Sequence, residues 1–357
     1  MTGDAITPGL EPPLPPPIEP ADAYAELAAA LEALPTGRHR RLATQMVESL
    51  TELFRIRPAL VDMKITGAAL AEMGEAFEMF APYEDAPKVT IFGSARTREN
   101  DPLWHAARDV AADLARAGWM VITGAGPGIM QAAMEGAGRE QSIGVSIRLP
   151  FEQGANPVIA GDEKYVSMKY FFTRKLMLVK ESRGFICLPG GFGTLDETFE
   201  LLTLTQTGKG LPVPIVFLDT PGDPYWETVH DVIDGLLVQR GLVAPADTSL
   251  YLVTDDCHRA VDEVLRFYSN YHSLRYVGDL LVMRLQHAVT DEQLDTLNSR
   301  FGHLCKSGSI ARVDALDPER KERDQVDLPR IAFVFAKHGY GELRALIDTL
   351  NSFAPPV

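Results

Sequence analysis

The chain has 357 residues, 46% hydrophobic and 23% charged, a balance that supports an ordinary globular core and confines any disorder to particular segments. A formal net charge of −15 would repel a polyphosphate backbone, so no nucleic-acid polymer is expected as a partner and any bound phosphate must be held locally. The three cysteines, Cys187, Cys257 and Cys305, form no CxxC pair and no histidine cluster has metal-ligand spacing, so neither a disulfide framework nor a structural zinc is expected.

In chain order, residues 1–20 come first, and Pro12, Pro13, Pro15, Pro16 and Pro17 bias them toward extended polyproline backbone. They read as a flexible tail, with a ligand for a proline-recognition domain as the alternative. The start carries neither a basic stretch nor an apolar run, and no later segment is long enough to span a bilayer. A cytoplasmic protein with no membrane partner is expected. Residues 21–85 change to helical spacing: Tyr24, Leu27, Leu31 and Leu34, then Leu42, Met46, Leu50 and Leu53, then Leu70, Met73, Phe77 and Phe80. Three amphipathic helices follow, whose apolar stripes would pack on the main domain or on another subunit.

The main domain, residues 86–271, alternates short apolar runs with helical patterns. Strands are predicted at Val89–Phe92, Met120–Thr123, Ile143–Ile147, Phe185–Leu188, Ile215–Leu218 and Leu250–Val253. Helices are predicted at Leu103–Ala117, Ile129–Gly136, Tyr170–Glu181, Thr194–Thr205, Trp226–Arg240 and Arg259–Tyr268. Parallel strands need crossovers and are buried on both faces, so this rhythm of near-continuous apolar strands and helices implies an α/β fold with a doubly wound, Rossmann-like parallel sheet. In such sheets ligands bind beyond the carboxyl ends of the strands. Residues 272–357 follow a βαββα order, with strands at Leu280–Arg284, Ser309–Val313 and Ile331–Phe335, helices at Asp291–Phe301 and Gly341–Phe353, and a charged loop at Asp317–Asp327. This suggests a small, ferredoxin-like α+β module that serves oligomerisation or regulation, or simply caps the structure.

The strongest local signal is Phe185-Ile-Cys-Leu-Pro-Gly-Gly-Phe-Gly-Thr-Leu-Asp-Glu197, an apolar strand entering a glycine-rich turn and then a helix. Gly190, Gly191 and Gly193 can take positive φ and admit an anion to the backbone amides, and Thr194 can offer its hydroxyl. The turn lacks the Gly-Lys-Ser/Thr ending of a Walker loop, so ATP hydrolysis is not indicated. Asp196 and Glu197 are expected in the helix's first turn, where ordinary electrostatic capping of about 0.3–1 kcal/mol would account for them. Two acids beside a phosphate would repel it, however, unless they face its sugar, where a carboxylate can hold ribose hydroxyls, stabilise an oxocarbenium-like transition state or orient water.

Two more loops close strands of the same sheet. Ile91-Phe-Gly-Ser-Ala-Arg96 offers Gly93 and Ser94, and Thr123-Gly-Ala-Gly-Pro-Gly128 offers Gly126, although tight turning explains such glycines as readily as ligand contact. The second loop spells GxGxG instead of GxGxxG and no acidic ribose ligand follows, which weakens a dinucleotide reading. In the helix before the main motif, Arg174 and Lys175 stand among Tyr170, Phe171, Phe172, Leu176, Met177 and Leu178. An arginine in apolar surroundings needs an anionic or aromatic partner, and Lys175 could meet an internal acid.

Together these segments resemble the Lonely Guy (LOG) family, over roughly Pro87 to Tyr268. The family's PGGxGTxxE signature is complete as Pro189, Gly190, Gly191, Gly193, Thr194 and Glu197, and its MxxRK signature survives as Arg174 and Lys175, with Phe171 in the methionine position. The resemblance implies a phosphoribohydrolase that cleaves the N-glycosidic bond of nucleoside 5′-monophosphates, AMP-like or cytokinin riboside monophosphates, without metal or organic cofactor. It implies Arg174 and Glu197 as the catalytic pair, with Lys175, Gly190, Gly191, Phe192, Gly193, Thr194 and Asp196 as nucleotide contacts, Thr203 on the Asp196 and Glu200 helix face as a further candidate, and Glu152 as the upstream acid. It also implies a homo-oligomer, since family members pair through helices beside the active site. Members have been labelled lysine decarboxylases, but nothing in the sequence supports a pyridoxal phosphate site. A non-catalytic nucleotide sensor on the same fold is the rival from another class.

Overall fold

The structure is a computed structural model that describes residues 20–149 and 154–354. The proline-rich stretch up to residue 19 and the candidate Glu152 lie outside the described residues. The chain divides into two compact units, one of residues 20–74 with 148–149 and the other of 75–147 with 154–354.

The first unit holds α1 (Pro20–Ala33), α2 (Arg38–Arg55) and most of α3 (Leu60–Phe80). All three follow the predicted apolar spacing. Arg40 closes the first connection by donating from Nη2 to the carbonyls of Glu32 and Leu34, at 2.7 and 2.9 Å, which satisfies acceptors left open at the end of α1. α2 buries none of its residues, and Leu42, Met46 and Phe54 are exposed, so its stripe marks a surface and not a core. Arg148 Nη2 stands 3.6 Å from the carboxylate of buried Glu72 on α3.

The second unit is built on seven strands: β1 (Lys88–Phe92), β2 (Met120–Thr123), β3 (Ser142–Ile147), β4 (Tyr165–Met168), β5 (Gly184–Cys187), β6 (Ile215–Leu218) and β7 (Leu252–Thr254). Between and after them run α4 (Pro102–Arg116), α5 (Ile129–Ala137), α6 (Phe171–Lys180), α7 (Phe192–Gln206), α8 (Tyr225–Val232) and α9 (Cys257–Arg266). Every pairing is parallel, in the order β4-β3-β2-β1-β5-β6-β7. The fold is therefore α/β, doubly wound and Rossmann-like, as the alternation predicts. Val89, Ile91, Val121, Ile186, Leu188, Val216 and Leu218 form one buried face against α4, α5 and α9.

Two predicted features change. β4 went unpredicted because it is an edge strand whose burial alternates, so Tyr165-Val-Ser-Met168 shows no apolar run. The single helix expected over Trp226–Arg240 is α8 followed by a wider π-type winding at Ile233–Val238. Helix ends are marked by local chemistry. Asp101 accepts from Leu103 N ahead of Pro102 at the start of α4, and Asp256 accepts from His258 N and Arg259 N at the start of α9.

The C-terminal part carries β8 (Tyr271–Val277), β9 (Leu280–Leu285), α10 (Asp291–Phe301), β10 (Cys305–Arg312), α11 (Asp317–Glu322), β11 (Arg330–Phe335) and α12 (Tyr340–Ser352). The antiparallel sheet runs β10-β11-β9-β8. β8 adds a strand before the expected βαββα, and its polar His272, Ser273 and Arg275 hid it. Counted from β9, with β8 as the fourth strand, the order becomes 2-3-1-4, the ferredoxin-like order with its last strand moved to the front. One face packs Leu281, Met283, Ile331, Phe333 and Phe335 under α10 and α12. On the other face, Glu319 Oε1 accepts from Arg284 Nε and Nη2 at 3.0 and 2.8 Å and stands 2.8 Å from Arg330 Nη1. Asp324 accepts from Arg284 and Arg275 at 2.6 Å each. The charged loop predicted at Asp317–Asp327 is thus a strap held by buried ion pairs, with α11 inside it. Asn351 of α12 joins the module to its neighbour, accepting from Asn270 N and Tyr271 N and donating to Phe267 O.

Candidate active site

The winding direction reverses between β1 and β5, which pair side by side although they are far apart in sequence. At such a switch point the loops leaving the two strands diverge and open a crevice at the carboxyl edge of the sheet. Here those loops carry Gly93-Ser94 and Pro189-Gly190-Gly191, and Ser94 N donates to Pro189 O at 3.2 Å. The β2–α5 loop closes on the same place. Gly128 has φ +67°, a Cβ on it would sit 2.3 Å from Ser94 O, and Ile129 N donates to that same oxygen at 3.0 Å. No other residue type satisfies both the dihedral and the approach.

The glycine turn works differently from the expectation of positive φ, since none of Gly190, Gly191 and Gly193 adopts it. Gly190 is needed for room: a Cβ there would lie 2.2 Å from the Thr194 hydroxyl. Gly191 and Gly193 face open space instead. Gly191 is the N-cap of α7, and no side chain caps it. The first amides of α7 therefore have no side-chain acceptor, and with the positive end of the helix dipole they form an anion seat.

α7 begins at Phe192, two residues earlier than predicted. Asp196 and Glu197 accordingly fall in the second turn, and the first turn holds no acid. The electrostatic capping that could have explained both carboxylates fades over that distance, because it acts within the first turn. Glu197 is instead bound sideways, to Arg174 of α6. Arg174 Nη2 stands 3.3 Å from Glu197 Oε1, and the two side chains are 11% and 12% exposed. Arg174 Nε donates to Val145 O at the end of β3, at 3.2 Å. Its guanidinium also fills the space above Gly124, where a Cβ would lie 2.6 Å from Nη2. Burial pushes the Glu197 carboxyl above its ordinary value, an effect that Arg174 and Lys175 oppose and Asp196 and Glu200 reinforce.

Lys175 meets internal acids as expected. Its Nζ lies 2.7 Å from Asp196 and 2.5 Å from Glu200, and although burial opposes the charge, these two carboxylates raise its pKa. Of the sequence candidates, Gly93, Ser94, Gly190, Gly191, Gly193, Thr194, Arg174 and Glu197 gather around the crevice. Gly126 stands behind it, its carbonyl accepting from buried Asn156 Nδ2 at 3.1 Å. Asp196 and Thr203 lie instead along the outer face of α7, where they share a shallow groove of about 450 Å³ with Phe192, Leu195, Phe199 and Glu200. Phe192 is 92% exposed at its edge. Thr203 is six residues beyond Glu197, about 9 Å along the axis, and its hydroxyl donates to Phe199 O. Within one chain it does not join the Arg174 and Glu197 pair.

Sequence reasoning missed Gly124, Met130, Val145 and Tyr225. The Met130 sulfur would be 2.8 Å from a Cβ on Gly124, beside the Arg174 guanidinium. Tyr225, the first residue of α8, donates from its hydroxyl to Gly190 O at 2.7 Å. No local pattern announces contacts between residues 35 positions apart, but the GxGxG spacing did mark the loop that holds Gly124.

A family model described as "Possible lysine decarboxylase" matches residues 128–264. A rice protein named as a probable cytokinin riboside 5′-monophosphate phosphoribohydrolase is 29% identical over 171 residues, covering 47% of this chain and 77% of its own. An Arabidopsis thaliana protein of the same designation is 32% identical over 144 residues, covering 39% and 68%. Among solved structures, the molybdenum cofactor carrier protein of Chlamydomonas reinhardtii is 21% identical with a TM-score of 0.35, covering 50% of this chain and 98% of that one.

Proposed function

The chain belongs to the LOG family, and from that premise we propose that it hydrolyses the N-glycosidic bond of a nucleoside 5′-monophosphate, AMP or a cytokinin riboside monophosphate, to free base and ribose 5-phosphate. One observation carries the reading: a buried Arg174–Glu197 pair stands about 9 Å along α7 from its uncapped glycine end at Gly191, near the switch point of the sheet. The relatives' names supply the substrate class.

In this mechanism the 5′-phosphate sits on the amides of the glycine turn and the Thr194 hydroxyl, which fixes the ribose over Glu197. Cleavage sends the electron pair of the C1′–N bond to the base, which gains a proton, while water adds at C1′. The Glu197 carboxylate stabilises the positive charge developing at C1′ or takes the proton of the attacking water, and Arg174 positions the nucleotide and assists departure of the base. Lys175 pairs with both Asp196 and Glu200 and offsets about one of their two charges, which lessens their repulsion of the phosphate. The family model's description names a different chemistry. A Schiff-base lysine must act as a neutral amine, and the two ion pairs that raise the pKa of Lys175 suit it poorly to that task. Exposed Phe171, Phe172, Leu176, Phe192 and Phe199 support a homo-oligomer, with the C-terminal module in a regulatory or assembly role.

The test is chromatography of AMP, a prenylated adenosine monophosphate and adenosine incubated with the protein. Base should appear from the monophosphates and not from adenosine. Equal cleavage of adenosine would defeat the phosphate anchor, and tight binding of AMP without base release would point to a sensor.

A further inference from the structure

We propose that Tyr225, held by Asp219, is a positioning residue that presets the phosphate turn; this rests on the phosphate-anchored reading above. The Tyr225 hydroxyl donates to Gly190 O at 2.7 Å, and Tyr225 is half-buried. That carbonyl belongs to the same planar trans peptide as Gly191 N–H, and across such a plane the two groups point in opposite directions. Fixing the oxygen on the Tyr225 side therefore turns the Gly191 amide the other way. Between two glycines the plane is otherwise cheap to rotate, and a flip would present a carbonyl oxygen where an anion needs a donor.

The anchor of the tyrosine is itself rigid. Asp219, directly after β6, is buried and accepts from Trp226 N through both oxygens, at 3.0 and 2.9 Å, and from Glu227 N at 3.3 Å. It satisfies the open amides at the start of α8, so the first residue of that helix cannot drift. Trp226 is fully buried and stacks on Phe217 of β6, with ring centroids 4.4 Å apart. The core of the sheet thus reaches the phosphate turn through Asp219, α8 and one hydroxyl. Its contribution is to substrate binding, since Tyr225 touches the carbonyl behind the turn and not the Arg174 and Glu197 pair.

The experiment compares wild type, Tyr225→Phe and Asp219→Asn by steady-state kinetics on AMP and by calorimetric titration with ribose 5-phosphate. Tyr225→Phe removes a single neutral hydrogen bond, so KM for AMP should rise about fivefold to tenfold. Its affinity for ribose 5-phosphate should fall by the same factor, with kcat within about twofold and the thermal midpoint nearly unchanged. Asp219→Asn should move both constants in the same direction. Unchanged ribose 5-phosphate affinity in Tyr225→Phe, or a loss confined to kcat, overturns the positioning role while leaving the phosphate seat intact. Failure of wild type to bind ribose 5-phosphate overturns the seat, and the role with it.

Discussion

Replacing Glu197 with glutamine tests whether its carboxylate is held for chemistry or for stability. The substitution keeps the shape and removes the charge. In the native site that charge stands 3.3 Å from Arg174 and is almost fully enclosed, yet burial raises the carboxyl above its ordinary value of 4.5 in spite of the arginine. The ionised form is therefore less favourable in the folded chain than in water, but glutamine leaves the buried Arg174 guanidinium with Val145 O and no counter-ion, so Glu197→Gln should cost about 3–5 kcal/mol of stability. Turnover should fall by about 10²–10³-fold or more, the usual cost of losing one group aimed at transition-state charge. KM for AMP should move little, because the phosphate seat at Gly191 is about 9 Å away along α7.

The pH dependence carries a sign of its own. A folded-state pKa above the unfolded value means that the native chain binds the proton more tightly, so this group's contribution to stability is present below about pH 4.5 and declines as pH rises through the raised pKa. Activity that needs the carboxylate runs the other way and rises through the same pKa. The acid limb of kcat/KM should accordingly sit above the ordinary carboxylate range, and denaturant titrations across pH should show the stability decline in wild type but not in the glutamine variant. Arg174→Ala strands the carboxyl in turn, but Glu197 can take up a proton where the guanidinium cannot lose one, so this change should cost no more than the glutamine variant. A folded glutamine variant that keeps more than about a tenth of the activity would refute the assignment of Glu197 to charge stabilisation or water activation.

Two further outcomes follow from the geometry. Gly128→Ala forces a Cβ against Ser94 O and a side chain into φ +67°, so it should cost at least about 1–3 kcal/mol in denaturant unfolding and lower activity by shifting the loop that carries Ser94. In the C-terminal strap, hydrogen bonds and ion pairs with arginines hold the carboxyls of Glu319 and Asp324 below their usual range against the opposing effect of burial. Their contribution is complete above the ordinary values of 4.5 and 3.8 and is lost as pH falls through the lower folded values, so the protection of β9 and β11 amides, relative to their intrinsic exchange rates, should drop in acid.

The parts of this protein legible in sequence were those written locally. Six strands of the main sheet could be placed because each reads as an apolar run, five of them buried nearly throughout, and the glycine motif could be placed because it joins such a strand to a helix. β4 and β8 escaped because a strand with one exposed face mixes Ser167, or His272 and Ser273, into its pattern. The pairing of Arg174 with Glu197 was suggested by a family resemblance, whereas its cause is tertiary: α6 packs on β3 and β4, α7 leaves the end of β5, and Gly124 leaves space for the guanidinium. Tyr225 was illegible for a related reason, since its partner is a carbonyl and carbonyls leave no trace in a sequence. The start of α7 was misjudged by two residues because Gly191, Phe192 and Gly193 have weak helical preference, and the bonds that enforce the turn come from the fold.

The distribution of charge around the crevice bears on what it can accept. Arg174 is committed to Glu197 and Lys175 to Asp196 and Glu200, so these two cations are already paired. What the start of α7 offers an anion is a set of amides and a helix dipole, equivalent to roughly half a positive charge. That seat suits one phosphate group; a triphosphate chain would need the added lysine of a Walker loop and would meet the acidic face of α7 on its way out. In the proposed reaction a nucleotide anchored by its phosphate would bring its ribose toward the Arg174 and Glu197 pair, and an unphosphorylated nucleoside, lacking that anchor, would not be held there.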